Sequence, residues 1–266
     1  MLEEIRMESE IVFSRSEQGA AVYGEIILNR PEKGNALTMQ MLERLDSVVS
    51  EIESDHDLRA VVIRSRGRFF CTGGDIDAWG SLSPNDMGRD WILYGIEVFQ
   101  RLAALPQPVI AAVSGHALGG GLELVLATDL RIAVQSAKFG SPEVTLGMIS
   151  GWMGIRRLAE NIGVARARHL TLLGAPITAA QALDWGLVTA LAADADDLER
   201  QLNGWLERLC ANAPGAMALT KGILASMHAD LRQHHASAAA QARSTEDCAE
   251  GVRAFREKRK PVYRNR

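Results

Sequence analysis

The stretch from Pro106 to Glu123 constrains the fold more than any other part of the chain. Five apolar residues, Val109-Ile-Ala-Ala-Val113, follow two prolines and lead into Gly115-His-Ala-Leu-Gly-Gly-Gly121, which has four glycines. A short apolar run between such breakers predicts a buried strand. Leu122 to Ala127 predicts a helix, and Leu130-Arg-Ile-Ala-Val134 another strand. A similar order occurs upstream, where the strand Ala60-Val-Val-Ile-Arg64 leads to the loop Phe69-Phe-Cys-Thr-Gly-Gly-Asp75. Ala20 to Leu28 reads as a strand ended by Pro31. From Thr38, Leu42, Leu45, Val48, Val49 and Ile52 share one helical face. Ser83-Pro84 opens a helix towards Leu105. Alternating strands and helices predict an α/β fold.

After about Gly154 the pattern turns helical. Thr178 to Gln181 forms a capping box, Gly186 a stop, and Leu187-Val-Thr189 one last short strand. From Asp196 onward everything reads as helix, with a cap signal at Ser244-Thr-Glu-Asp247. With 266 residues, 47% hydrophobic, the chain can build a substantial core. The expected division is an α/β core over residues 1–195 and a helical C-terminal region over 196–266, with no flexible linker between them.

Charge and cysteine content narrow the function. Lys+Arg number 29 against 33 Asp+Glu, a formal net charge of −4, and Arg256 to Lys260 is the one basic cluster. That balance excludes nucleic acid as the main partner. Cys71, Cys210 and Cys248 have neither disulfide nor metal-ligand spacing, which suits a reducing compartment. The acidic start lacks a signal peptide's apolar run, and no stretch is long enough to span a bilayer. The expectation is a cytoplasmic protein with no membrane partner and no metal.

The chemistry sits in the two glycine loops. Three consecutive glycines weaken a helix, so the backbone there must approach a ligand or aim its amides at one. N–H groups at a helix start are donors for developing negative charge, and two that converge on a carbonyl oxygen form an oxyanion hole. The dinucleotide fingerprint and the phosphate-loop Lys-Ser/Thr are both missing. Taken singly, either loop reads equally well as a tight turn. Two loops after two strands, each with an acid nearby, favour function. Glu123 lies in an apolar run, and burial would raise its pKa into a range useful for proton transfer. Glu143 follows Ser141-Pro142. A polarised carbonyl flanked by two carboxyls suits proton abstraction or water addition beside that carbonyl. On their own terms Cys71 reads as small-residue packing, Asp75 as a loop anchor and His116 as loop filler. Asp129 reads as structural and His234-His235 as solvated surface.

Asn29-Arg-Pro-Glu-Lys-Gly-Asn-Ala-Leu37, Cys71-Thr-Gly-Gly-Asp-Ile76, Pro108 to Glu123 and Lys138-Phe-Gly-Ser-Pro-Glu143 resemble the successive motifs of the crotonase family. Ala179 to Val188 and Glu250 to Lys260 continue the resemblance. It implies a ClpP-like spiral of ββα units, a C-terminal helical region used in trimers or hexamers, and an acyl-CoA thioester substrate. No cofactor is implied, since coenzyme A is part of the substrate. By motif position, Gly74 and Gly120 would hold the thioester oxygen, and Glu123 and Glu143 would handle water and protons. Lys33 and Ala36 would lie along the CoA, and Phe255 and Lys258 would reach a neighbour's CoA. Cys71, Gly73, Asp75 and Ile76 on the first loop would line the substrate, as would Gly119 on the second. Gly151 and Trp152 would do so further on.

Retention of both glutamates implies hydration of a 2-enoyl-CoA to a 3-hydroxyacyl-CoA. The alternatives are isomerase, hydrolase or decarboxylase chemistry on the same scaffold, or a non-catalytic binding protein. Two departures from the family pattern stand out. Ser150-Gly-Trp-Met-Gly-Ile155 replaces a glycine-rich stretch, so Trp152 and Met153 are expected to narrow the acyl pocket. Ser141 stands where glutamine or histidine is common, which changes how Glu143 is held.

Overall fold

The structure, a computed structural model, describes residues 9–18, 21–225, 245–264 and 266. Among them, six strands form a large sheet in the order β1 (Ile11–Gln18), β2 (Ala21–Leu28), β3 (Leu58–Ser65), β5 (Val109–Val113), β7 (Leu130–Val134) and β10 (Ala190–Ala192). A second sheet has the order β4 (Phe69–Cys71), β6 (His116–Leu118), β8 (Lys138–Gly140) and β9 (Ile177–Thr178). Each pass of the chain adds a strand to the large sheet and then one to the small sheet: β3 then β4, β5 then β6, β7 then β8. Strands β3, β5 and β7 are mutually parallel, as are β4, β6 and β8. With the intervening helices α1 (Met39–Ser54), α2 (Tyr94–Ala104) and α3 (Gly120–Leu126), this is the ββα spiral implied by the resemblance.

Every residue of β5 is buried. That is why its sequence is a continuous apolar run rather than an alternating one. Helix α1 buries the expected stripe together with Met41. Its first turn is fixed by Thr38, whose Oγ1 accepts from the Met41 N–H at 3.1 Å. Replacing Thr38 with alanine leaves that N–H without its cap, at an expected loss of about 1 kcal/mol in denaturant unfolding.

Several elements differ from the sequence reading. Strand β1 was not foreseen; it pairs with β2 over eight residues, antiparallel in an otherwise parallel sheet. The helix expected from Ser83 to Leu105 is broken by a π-helical stretch, Met87–Leu93. Helix α3 starts at Gly120 rather than Leu122, so the glycines themselves form its first turn. A Cβ on Gly121 would lie 2.3 Å from the Cys71 carbonyl oxygen, so the helix packs on β4 at a distance only glycine permits. The last strand is Ala190–Ala192, not Leu187-Val-Thr189. The N–H groups of Leu187 and Val188 both turn back to the Ala182 carbonyl, which delays entry into the sheet.

The capping box at Thr178 and Gln181 forms as read, on α5 (Ala179–Asp184). Helix α6 (Ala195–Cys210) buries Leu198, Leu202 and Leu206 against the large sheet. Helices α7 (Pro214–Ala225) and α8 (Glu246–Glu257) follow. Thr245 Oγ1 accepts from the Cys248 N–H at the start of α8. Ser244, His234 and His235 lie outside the described residues. No helix among the described residues is long and apolar enough to cross a membrane.

Candidate active site

Strands β4 and β6 pair in parallel, so the glycine loops that follow them lie side by side. Gly73 has φ +118° and Gly119 φ +53°, conformations that side chains rarely adopt. A Cβ on Gly120 would lie 3.3 Å from the Gly74 nitrogen, and a Cβ on Gly73 3.4 Å from the Gly120 nitrogen. The N–H groups of Gly74 and Gly120 therefore adjoin. Gly120 opens α3, where a helix has no internal acceptor for its N–H. Among the described residues neither amide donates to a protein acceptor. Both line one pocket, whose empty volume is about 620 Å³ including its open mouth.

Two carboxyls line the same pocket. Glu123, in the first turn of α3, is 3% exposed. Its Oε1 accepts from the backbone N–H groups of Trp152 and Gly154, both at 2.7 Å. A Cβ on Gly154 would lie 2.5 Å from Glu123 Oε1, so that approach requires glycine. Glu143 is held by hydroxyls instead. Ser141 donates to its Oε2 at 2.8 Å and Ser150 to its Oε1 at 3.0 Å. Sequence reasoning flagged Ser141 but missed Ser150 and Gly154 as ligands of the two acids.

Burial, reinforced by the nearby Glu143 charge, pushes the Glu123 carboxyl up to about 7, against the pull of the two amides and Arg157. The folded value exceeds the unfolded one, so between about pH 4.5 and about pH 7 the folded state keeps a proton that the unfolded state has lost. Stability must fall over that window, by at most about 1.4 kcal/mol per pH unit. Glu123→Gln removes the titration. Thermal melts should show the variant gaining on the native protein from pH 5 to pH 8.

The family model described as enoyl-CoA hydratase/isomerase matches residues 17–266. The chain belongs to the enoyl-CoA hydratase/isomerase family. It is 36% identical over 234 residues to a Bacillus subtilis protein named "Probable enoyl-CoA hydratase", covering 86% of this chain and 91% of that one. It is 37% identical over 240 residues to a short-chain-enoyl-CoA hydratase of Clostridium acetobutylicum, covering 88% and 91%. The crystal structure of an enoyl-CoA hydratase from Bacillus anthracis superposes with a TM-score of 0.90 at 34% identity, covering 97% of this chain and 100% of that one.

In this hydratase/isomerase-family chain the pocket brings together Gly73, Gly74, Ile76, Gly119 and Gly120 with Glu123, Glu143, Gly151 and Trp152. Five expected residues lie outside its walls. Cys71 is fully buried beneath Gly121, and its thiol is pushed up to about 12 by burial, so it packs rather than binds. Asp75 anchors its loop, pairing with Arg30 at 2.5 Å and capping Asp77 N–H at 2.9 Å. Lys33 is exposed, with Nζ 3.5 Å from Asp77, and the Ala36 carbonyl accepts from Arg30. Lys258 is exposed on the C-terminal segment, with φ +52°. The Phe255 side chain lies outside the described residues.

Trp152 lines the pocket as expected, but Met153 does not. Met153 has a left-handed backbone, φ +69°, and is the N-cap of α4 (Gly154–Ile162). Trp79, Met87 and Trp91 complete an apolar side of the pocket that the sequence reading did not assign. His116 lies outside it, edge-on to Phe69.

Proposed function

We propose that the protein is an enoyl-CoA hydratase, converting a 2-enoyl-CoA and water to a 3-hydroxyacyl-CoA. The observation that carries this reading is two carboxyls, Glu123 and Glu143, in one pocket with the adjoining Gly74 and Gly120 amides. The thioester oxygen accepts from both amides. As the water oxygen bonds to Cβ, the double-bond electrons move through Cα onto that oxygen, and the amides stabilise the enolate. One carboxylate takes a proton from the water; the other, protonated, gives one to Cα. The pair ends with the proton count it began with. A Glu123 carboxyl raised to about 7 supports proton transfer by this residue near neutrality. These steps need no cofactor beyond the coenzyme A of the substrate.

A double-bond isomerase needs one proton-shuttling base, and the second acid would be idle. The separate support of both acids, by amides and by hydroxyls, favours the two-acid reaction. Helix α7 is apolar yet buries no residue in the single chain, which supports assembly of copies into the trimers or hexamers that the resemblance implies. Incubation with a panel of 2-enoyl-CoA thioesters tests the reading by loss of the conjugated-thioester absorbance. Accumulation of 3-hydroxyacyl-CoA is expected; a product limited to a 3-enoyl isomer contradicts it.

A further inference from the structure

Trp152 is held from several sides at once. Its Nε1 donates to the Trp91 carbonyl at 3.1 Å, within the π-helical stretch. Its ring lies 5.3 Å from Trp91 and edge-on to Phe99 at 5.2 Å. Gly95 makes room for it, since a Cβ there would lie 2.3 Å from Trp152 Nε1. The opposite edge rests on the oxyanion glycine: a Cβ on Gly120 would lie 2.5 Å from Trp152 Cζ3. The ring is 2% exposed and has no free space to swing into.

This placement has a consequence for the acyl chain. With the thioester oxygen on Gly74 and Gly120, Cα and Cβ lie between the carboxyls of Glu123 and Glu143. The Trp152 backbone N–H holds Glu123 and its ring lies against Gly120, so the indole forms the stretch of pocket wall beside both the oxyanion amide and the Glu123 carboxyl. We propose that Trp152 is the residue that sets chain-length specificity, closing the acyl pocket so that the enzyme acts on short, unbranched 2-enoyl-CoAs. This rests on the hydratase reading of the same site. A rigid ring rejects added carbons, whereas a flexible wall would yield to them. Each methylene lost or gained in such a pocket changes specificity about 10–200-fold.

Two measurements test it. In the first, saturated butanoyl-, hexanoyl- and decanoyl-CoA are titrated into the native protein by calorimetry, with no turnover involved. Butanoyl-CoA should bind at least tenfold more tightly than decanoyl-CoA. Decanoyl-CoA binding as tightly or more tightly would overturn the proposal, because the chain would then run outward along Leu146 and Ile149 at the mouth. The second compares kcat/KM for C10 and C4 enoyl-CoAs in the native enzyme, Trp152→Phe and Trp152→Leu. The C10:C4 ratio should rise at least tenfold in Trp152→Leu and less in Trp152→Phe. A ratio within twofold of the native value in both variants would also overturn it. Native protein that ranks the saturated ligands as expected yet hydrates none of the enoyl-CoAs would sink the hydratase reading and leave the pocket assignment standing.

Discussion

Glu123→Gln and Glu143→Gln are each expected to lower kcat for hydration of a 2-enoyl-CoA by about 10²–10⁴-fold, the usual contribution of a positioned acid or base. Glutamine is the right substitution because it keeps the surroundings of both side chains. At position 123 its carbonyl oxygen can still accept from the Trp152 and Gly154 amides, which bind only Oε1 in the native protein. At position 143 the serine hydroxyls can turn to accept from the new amide group while still donating to its oxygen. The fold should survive, and substrate binding should change much less than kcat. If the two residues act as one proton-passing unit, the double variant loses little more than the worse single one. A steady-state comparison of the four proteins decides this. Near-native kcat in either single variant would remove that acid from the mechanism and favour a one-base reaction.

Gly120→Ala should be almost as damaging, for a different reason. The new Cβ would sit 2.5 Å from Trp152 Cζ3 and 3.0 Å from Cε3. The indole cannot retreat, because Trp91, Phe99 and Gly95 enclose it. The start of α3 must move instead, taking the Gly120 N–H away from the carbonyl oxygen. Loss of one oxyanion donor lowers kcat about 10²–10³-fold, and the overpacking costs about 1–3 kcal/mol of stability. The double variant Gly120→Ala with Trp152→Leu makes room for the methyl group and should recover most of the melting temperature. Failure to recover stability would show that the clash lies elsewhere. A Gly120→Ala protein with native kcat would show that this amide does not serve the reaction.

What could be read from the sequence was what depends on local pattern. The stripe Leu42, Leu45, Val48, Val49 and Ile52 has helical period, and all five are buried in α1. The runs at Val109 and Leu130 are apolar because their strands are interior to a parallel sheet. The glycine loops stood out because successive glycines are costly in a helix. The small sheet did not stand out. Strands β4, β6 and β8 have three residues each, too few to show a period, and they exist because of partners far away in the chain.

The candidate site divides along the same line. Glu123, Glu143 and the loop glycines could be singled out one by one. The groups that hold the acids could not, because Gly154 meets Glu123 across 31 positions and Ser150 reaches back to Glu143 from the far end of a loop. Cys71 and Asp75 show the converse. The resemblance set both along the substrate, whereas the residues themselves read as small-residue packing and a loop anchor; Cys71 is fully buried and Asp75 pairs with Arg30.

The most direct measurement is the fate of solvent oxygen. The protein is incubated with a 2-enoyl-CoA in water enriched in oxygen-18, and the thioester product is analysed by mass spectrometry. Addition of water held between Glu123 and Glu143 places one heavy oxygen on C3 of a 3-hydroxyacyl-CoA, and Glu123→Gln should slow the appearance of that label about 10²–10⁴-fold. A product with a shifted double bond and no heavy oxygen, or free acid labelled at its carboxyl group, would contradict the central claim.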